Sequence, residues 1–218
     1  MRLLAITPIH VGETELARRQ TRYDTLSPHG VTVHLEDLGT GSDVPDALET
    51  AEDIVASEAA LVQRYADADL VGIDGFLPDC VLDPVVEHES SMPRPVFGIG
   101  RLSAHFAAGF GVRLGAVARN PAIATELDRK LRSYGIVTAQ DTAVLNLSVE
   151  DIADDVAWAT AVQRTVRGLS CDYVINACSA VDITEHHDGP FLLDPTWAAL
   201  QLIGLQALGL GSPAGRPS

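Results

Sequence analysis

The sequence of 218 residues predicts an α/β protein of two similar halves, each a parallel β-sheet covered by helices. Three observations carry that expectation. Short apolar runs alternate with longer amphipathic segments along the chain, the βαβα rhythm of parallel sheets. Arg2-Leu3-Leu4-Ala5-Ile6 is echoed by Arg113-Leu114-Gly115-Ala116-Val117, and Ala68 to Gly75 by Cys171 to Cys178, at similar spacing in each half. The first and later strands of each half end in loops at the carboxyl edge, where α/β proteins bind ligands, so two such edges facing each other make a cleft.

In chain order, strands are expected at Arg2 to Thr7, Val31 to Leu35, Leu70 to Asp74, Pro95 to Ile99, Arg113 to Ala118, Ile136 to Ala139, Tyr173 to Ala177 and Phe191 to Leu193. The first is an apolar run stopped by Pro8. A helix from about Val44 to Asp67 is predicted from Leu48, Ala51, Ile54, Val55, Leu61 and Val62 at helical spacing, with Asp43 and Pro45 as start signals. Asn120 caps a second helix, Pro121 takes its first turn, and Ile123, Leu127 and Leu131 mark its apolar face. Two more run from about Val149 to Arg167 and from about Pro195 to Leu208, and further helices fill the gaps. The implied division is a first lobe of residues 1–98 plus about 195–210, a second lobe of residues 99–194, and a flexible tail at 211–218.

A formal net charge of −15 repels a phosphate backbone and argues against nucleic-acid binding. No run of about 18 apolar residues is present, so no membrane span is expected. The start of the chain reads as a buried strand without a cleavage pattern. The three cysteines, Cys80, Cys171 and Cys178, form no CxxC pair and fit neither a disulfide framework nor a thiolate zinc site. A cytoplasmic protein is therefore expected.

Cys178 ends an apolar strand and is followed by Ser179-Ala180-Val181-Asp182, a strand-to-helix turn in this reading. Free N–H groups at such a helix start lower a thiol's pKa and can hold a carboxylate. The plain alternative is an inert core cysteine. Arg119 offers a bidentate fork for an anion beside Asn120, against the alternative of a solvated loop arginine, and Thr7 is the matching loop residue of the first half. His186 and His187, between Glu185 and Asp188, point in different directions on a helix and lack a third ligand at useful spacing. Phe76, Phe106, Phe110 and Trp197 serve equally as cleft walls or core.

Taken together, Arg2 to Ile9, Ala68 to Phe76, Pro95 to Gly100, Arg113 to Ala118, Val174 to Cys178 and Leu193 to Pro195 resemble, in order and spacing, the aspartate/glutamate/hydantoin racemase superfamily over nearly the whole chain. The resemblance implies two flavodoxin-like (Rossmann-like) lobes with parallel sheets related by a pseudo-two-fold axis, with the active site between them. It implies no cofactor (neither metal, flavin nor pyridoxal phosphate), a homo-oligomer, and a small anionic or imide-type substrate. Racemases of this family use one cysteine from each lobe to move a proton at a carbon next to a carbonyl, through an enolate-like intermediate.

Cys178 lies six residues beyond Asp172, where the resemblance expects the second cysteine, whereas the residue six beyond Asp69 is Gly75. This pattern resembles arylmalonate decarboxylases, with glycine at the first position and a single cysteine, although Phe76-Leu77-Pro78 replace their small hydroxyl residues. The leading expectation is thus a decarboxylase, lyase or one-sided isomerase with Cys178 as sole cysteine acid/base. Thr7, Gly75, Phe76, Arg119, Asn120 and Ser179 would bind its substrate. A true racemase or epimerase would need Asp74 or Cys80 as second base, Asp74 on the opposite strand face and Cys80 by a rearranged loop. A catalytically silent binder is the third expectation.

Overall fold

The computed structural model describes residues 1–41, 44–183 and 189–210. Asp43, the Glu185 to Asp188 cluster and the tail at 211–218 lie outside the described residues. The first sheet contains β1 (Arg2–Ile6), β2 (Thr32–Glu36) and β3 (Gly75–Phe76) in the order β2-β1-β3, and Val96 adds a parallel bridge to Phe76. The second contains β4 (Leu114–Ala118), β5 (Ala143–Val144), β6 (Tyr173–Asn176) and β7 (Phe191–Leu193) in the order β5-β4-β6-β7. All pairings are parallel. In both sheets the first strand lies inside, its successor on one side and the later strands on the other. The halves are flavodoxin-like lobes with pseudo-two-fold symmetry.

The helices are α1 (Glu13–Leu26), α2 (Ala51–Ala66), α3 (Ile99–Ala108), α4 (Pro121–Ser133), α5 (Asp155–Val166) and α6 (Pro195–Leu210). Residues of β4 are all buried, as expected of a central strand covered on both faces, while β2 alternates buried and outward positions. Helix α4 starts where Asn120 and Pro121 predict, with the Asn120 side chain accepting from the Ile123 N–H at 2.9 Å. Such a cap contributes about 1 kcal/mol. Helix α6 carries no charged residue and packs mainly on α3, with a smaller contact to α1.

Several expected boundaries move, each for a local reason. Helix α2 begins at Ala51 rather than near Val44, because Thr50 and Asp53 form a capping box: the Thr50 hydroxyl accepts from the Asp53 N–H and the Asp53 carboxylate from the Thr50 N–H. The helix expected from Val149 is divided into a 3₁₀ turn at Glu150–Ala153 and α5, which Asp154 caps. The strands expected near Pro95 and Ile136 shrink to single bridges at Val96 and Thr138, and β5 appears at a place not foreseen. Leu70 to Asp74 is a turn instead of a strand, with Gly72 at φ 71° in the left-handed region that glycine occupies without strain.

That last difference resets the internal repeat. The Asp74 carboxylate accepts from the Arg2 N–H at 2.7 Å, and the Asp172 carboxylate accepts from the Arg113 N–H at 2.9 Å. The Asp74 and Asp172 N–H groups return bonds of 2.8 Å to the Arg2 and Arg113 carbonyls. In the sheets, Leu3 pairs with Gly75 and Leu114 with Tyr173. Asp74, not Asp69, is therefore the counterpart of Asp172, and counting six residues onward from each sets Cys80 against Cys178.

Candidate active site

Each cysteine sits on the same short turn. The Cys80 N–H donates to the Pro78 carbonyl and the Cys178 N–H to the Asn176 carbonyl, both at 2.8 Å, just past the carboxyl ends of β3 and β6. Those ends face one cavity of about 60 Å³, which both cysteines line together with Pro8, Arg19, Asp79 and Arg119. Trp158 and Ile152 add apolar wall, and the Trp158 ring N–H is anchored on the Asn176 amide oxygen at 3.2 Å. A larger open groove, about 1010 Å³ between α2 and α4, contains neither cysteine and holds Glu58, Glu87 and Glu126 beside apolar residues. The smaller cavity is the chemical candidate, because it joins strand ends, thiols and buried charge.

The two cysteine turns touch directly, since the Ser179 hydroxyl donates to the Asp79 carbonyl at 3.0 Å. Helix α1 holds the two turns with three arginines, Arg18 and Arg22 on the second and Arg19 on the first. Arg18 donates to the Ala180 carbonyl at 2.9 Å, and Arg22 donates to the Ser179 carbonyl at 3.0 Å and to Asp194 at 2.7 Å, besides meeting Asp182. Arg19 reaches Asp79 at 3.1 Å and Glu15 at 2.7 Å. Asp79 is itself buried and accepts from the Tyr23 hydroxyl at 2.8 Å. Burial opposes the charge on Arg19, but Asp79 and Glu15 more than offset it and hold the guanidinium protonated.

Both thiols are pushed upward. For Cys80, burial foremost, with Asp79, Asp83 and Cys178 adding, drives the pKa to about 12. For Cys178, burial also raises it, while Arg19, the Ala180 N–H and Arg22 pull the other way. The low thiol pKa expected for Cys178 is thus corrected: the segment after it is a turn rather than a helix start, and desolvation outweighs the cations.

The other expected site residues separate. Ser179 and Arg119 line the cavity, but the Arg119 guanidinium already grips protein groups, Glu49 at 2.5 Å and the Leu48 carbonyl at 3.0 Å. Asn120 donates to the same two residues while capping α4. Thr7 is fully buried in a strand-end cap, donating to the Ile9 carbonyl and accepting from the Leu38 N–H. Gly75 lies at the start of β3 beneath the Phe97 ring, and Phe76 packs on Tyr65 in the core, so neither faces the cavity. Asp74 is exposed at the far end of that strand, bound to the Arg2 backbone. Cys171 is buried against Gly115 in the second sheet. Of the cavity residues, Arg19 and Asp79 were not anticipated. The one sequence signal for the first cysteine was the shared spacing of Asp74 to Cys80 and Asp172 to Cys178.

Among the described residues no helix is long and apolar enough to cross a membrane, and no three His, Cys, Asp or Glu side chains are grouped to hold a metal ion. Comparison with solved structures finds similar folds over almost the full chain. Allantoin racemase from Klebsiella pneumoniae superimposes with a TM-score of 0.75 at 19% identity, covering 99% of this chain and 91% of that one. Allantoin racemase from Pseudomonas fluorescens gives 0.77 at 15% identity, covering 100% and 98%. Maleate isomerase from Pseudomonas putida S16 gives 0.63 at 15% identity, covering 96% and 93%. Comparison with curated proteins gives no match. Residues 21–203 match the Asp/Glu/hydantoin racemase family, and with its two parallel lobes and the cavity at their facing strand ends the chain belongs to that family.

Proposed function

We propose that the protein is a racemase or epimerase that inverts a carbon next to a carbonyl, with Cys80 and Cys178 as the paired acid and base. The observation that carries this reading is that the two thiols occupy repeat-related turns on one cavity, one from each lobe. Inversion requires a base on one face of the carbon and an acid on the other, which two opposed thiols supply without a cofactor. A thiolate removes the α-proton, charge moves onto the carbonyl oxygen, and the second thiol returns a proton from the opposite side. The reading with Cys178 alone gives way, since its premise was that Cys80 lay out of register.

The fold likeness to the two allantoin racemases, together with family membership, favours a cyclic ureide or imide as substrate. The test is incubation of each enantiomer of allantoin, of 5-monosubstituted hydantoins, and of aspartate and glutamate in deuterated water, read by NMR and chiral chromatography. Deuterium entering with inversion, faster than the enzyme-free control, is the expected result. Label entering only with loss of carbon dioxide would restore the decarboxylase reading, and no exchange with any of them would favour a binder.

A further inference from the structure

Two thiols related by the repeat would be chemically alike if their surroundings obeyed the same symmetry, and they do not. The residue before each thiol is Asp79 in the first half and Ala177 in the second. Arg19 and Asp79, both buried, form an ion pair of 3.1 Å on the cavity wall. Arg19 and Arg22 from α1 favour the charged form of Cys178 and Asp79 in the facing turn opposes it, while Arg18 also reaches the Cys178 turn at the Ala180 carbonyl. Arg22 is in turn held by Asp182 and Asp194, and Arg19 by Glu15. Those acting on Cys80 are Asp79, Asp83 and Cys178. Arg119, on the same cavity, is matched by Glu49. In the geometry, the Cys178 turn is held by cations, Arg22 on the Ser179 carbonyl and Arg18 on the Ala180 carbonyl, whereas the Cys80 turn carries the buried carboxylates Asp79 and Asp83.

Building on the two-cysteine reading, we propose that the buried Arg19–Asp79 pair breaks the pseudo-symmetry of the thiols, making Cys178 the base and Cys80 the acid of the resting enzyme. The Cys178 thiolate forms an S–H bond as the substrate C–H bond breaks, and the electron pair of that bond passes to the carbonyl oxygen. The carbon then takes the proton of Cys80 on its opposite face, leaving a Cys80 thiolate. One proton enters the substrate and one leaves, with no change of oxidation state. Arg19 and Asp79 act through the thiols, as positioning residues. Cation proximity and local carboxylates select which thiol ionises, and thiolate fraction governs alkylation rate.

Site-resolved alkylation of the ligand-free enzyme with iodoacetamide, followed by peptide mass spectrometry between pH 7 and 10, tests this. Cys178 is expected to react before Cys80 in the wild type, and R19K, which keeps the cation, should preserve that order. D79N should raise the rate at Cys80. In the R19Q/D79N double variant, which removes both charges of the pair while Arg18 still holds Glu15, the Cys178-to-Cys80 rate ratio should fall by roughly tenfold or more. Circular dichroism and Tm establish that each variant is folded. Prior reaction of Cys80 in the wild type, or an unchanged ratio in the folded double variant, would overturn the proposal. The readout uses no substrate, so ordered alkylation without racemisation would refute the proposed reaction alone, and racemisation with unordered alkylation would refute the role of the pair alone.

Discussion

A proton-shuttling pair makes opposite demands on its members: one thiol must lose its proton and the other keep it. Burial pushes both upward, so the thiolate form is scarce at neutral pH, and the rate should climb toward alkaline pH as the base ionises above the ordinary thiol range of about 8–9. The falling limb belongs to the acid, which keeps its proton until the pH approaches about 12. A kcat/KM profile over pH 6 to 10.5 that is flat, or that falls, would refute this assignment. Cys80→Ala and Cys178→Ala should each lower inversion by at least about a hundredfold, the lower end of what general acid–base catalysis supplies. Their Tm should stay close to that of the parent, because each thiol borders a cavity and little packing is lost. Cys178 was readable from its place at the end of an apolar strand. Arg19 and Asp79 were not, because a charged residue on a helix or turn looks like surface until the packing against it is known.

At the scale of the element, the two first strands, the Asn120 cap and the later strand of the second half could be read from apolar runs and start signals. The register of the repeat could not. Leu70 to Ile73 has the composition of a buried strand, yet Gly72 bends it into a turn, and the pairing with β1 begins five residues after Leu70. A five-residue error was enough to oppose Cys178 to Gly75 and to hide Cys80. Gly75→Cys is accordingly expected to add no racemisation. Its Cβ would lie 2.6 Å from the Phe97 ring, and such overpacking costs about 1–3 kcal/mol, measurable by urea denaturation. Gly100→Ala probes the Cys80 turn from behind. A Cβ there would meet the Val81 carbonyl at 2.1 Å, so the turn must shift; both stability and kcat should fall, while a similar kcat would mean that the turn's placement is unimportant.

Across the whole molecule, the lobes are tied at the cavity rim by side chains that cross between them. Arg119 and Asn120 after β4 hold Leu48 and Glu49 ahead of α2, and the arginines of α1 hold the turn after β6. A cavity of about 60 Å³ is far below the roughly 300 Å³ or more of ordinary ligand pockets, so substrate binding is expected to widen it against these ties. Arg119→Ala removes one of them, leaving the Glu49 carboxylate with the Asn120 amide. It should destabilise the protein by about 1–3 kcal/mol and lower KM, because a tie that opposes entry is gone, as calorimetry and steady-state kinetics would report. The asymmetry of the Arg19–Asp79 pair meets a limit of its own at this scale. Mirror-image molecules have equal free energy in water, so no arrangement of charge in the cavity can favour one product at equilibrium. If the substrate has a single stereocentre, the two enantiomers can differ in kcat and in KM, but those differences must cancel and leave kcat/KM identical in both directions. Unequal values at equilibrium would mean that the interconverted molecules are diastereomers, and the enzyme an epimerase.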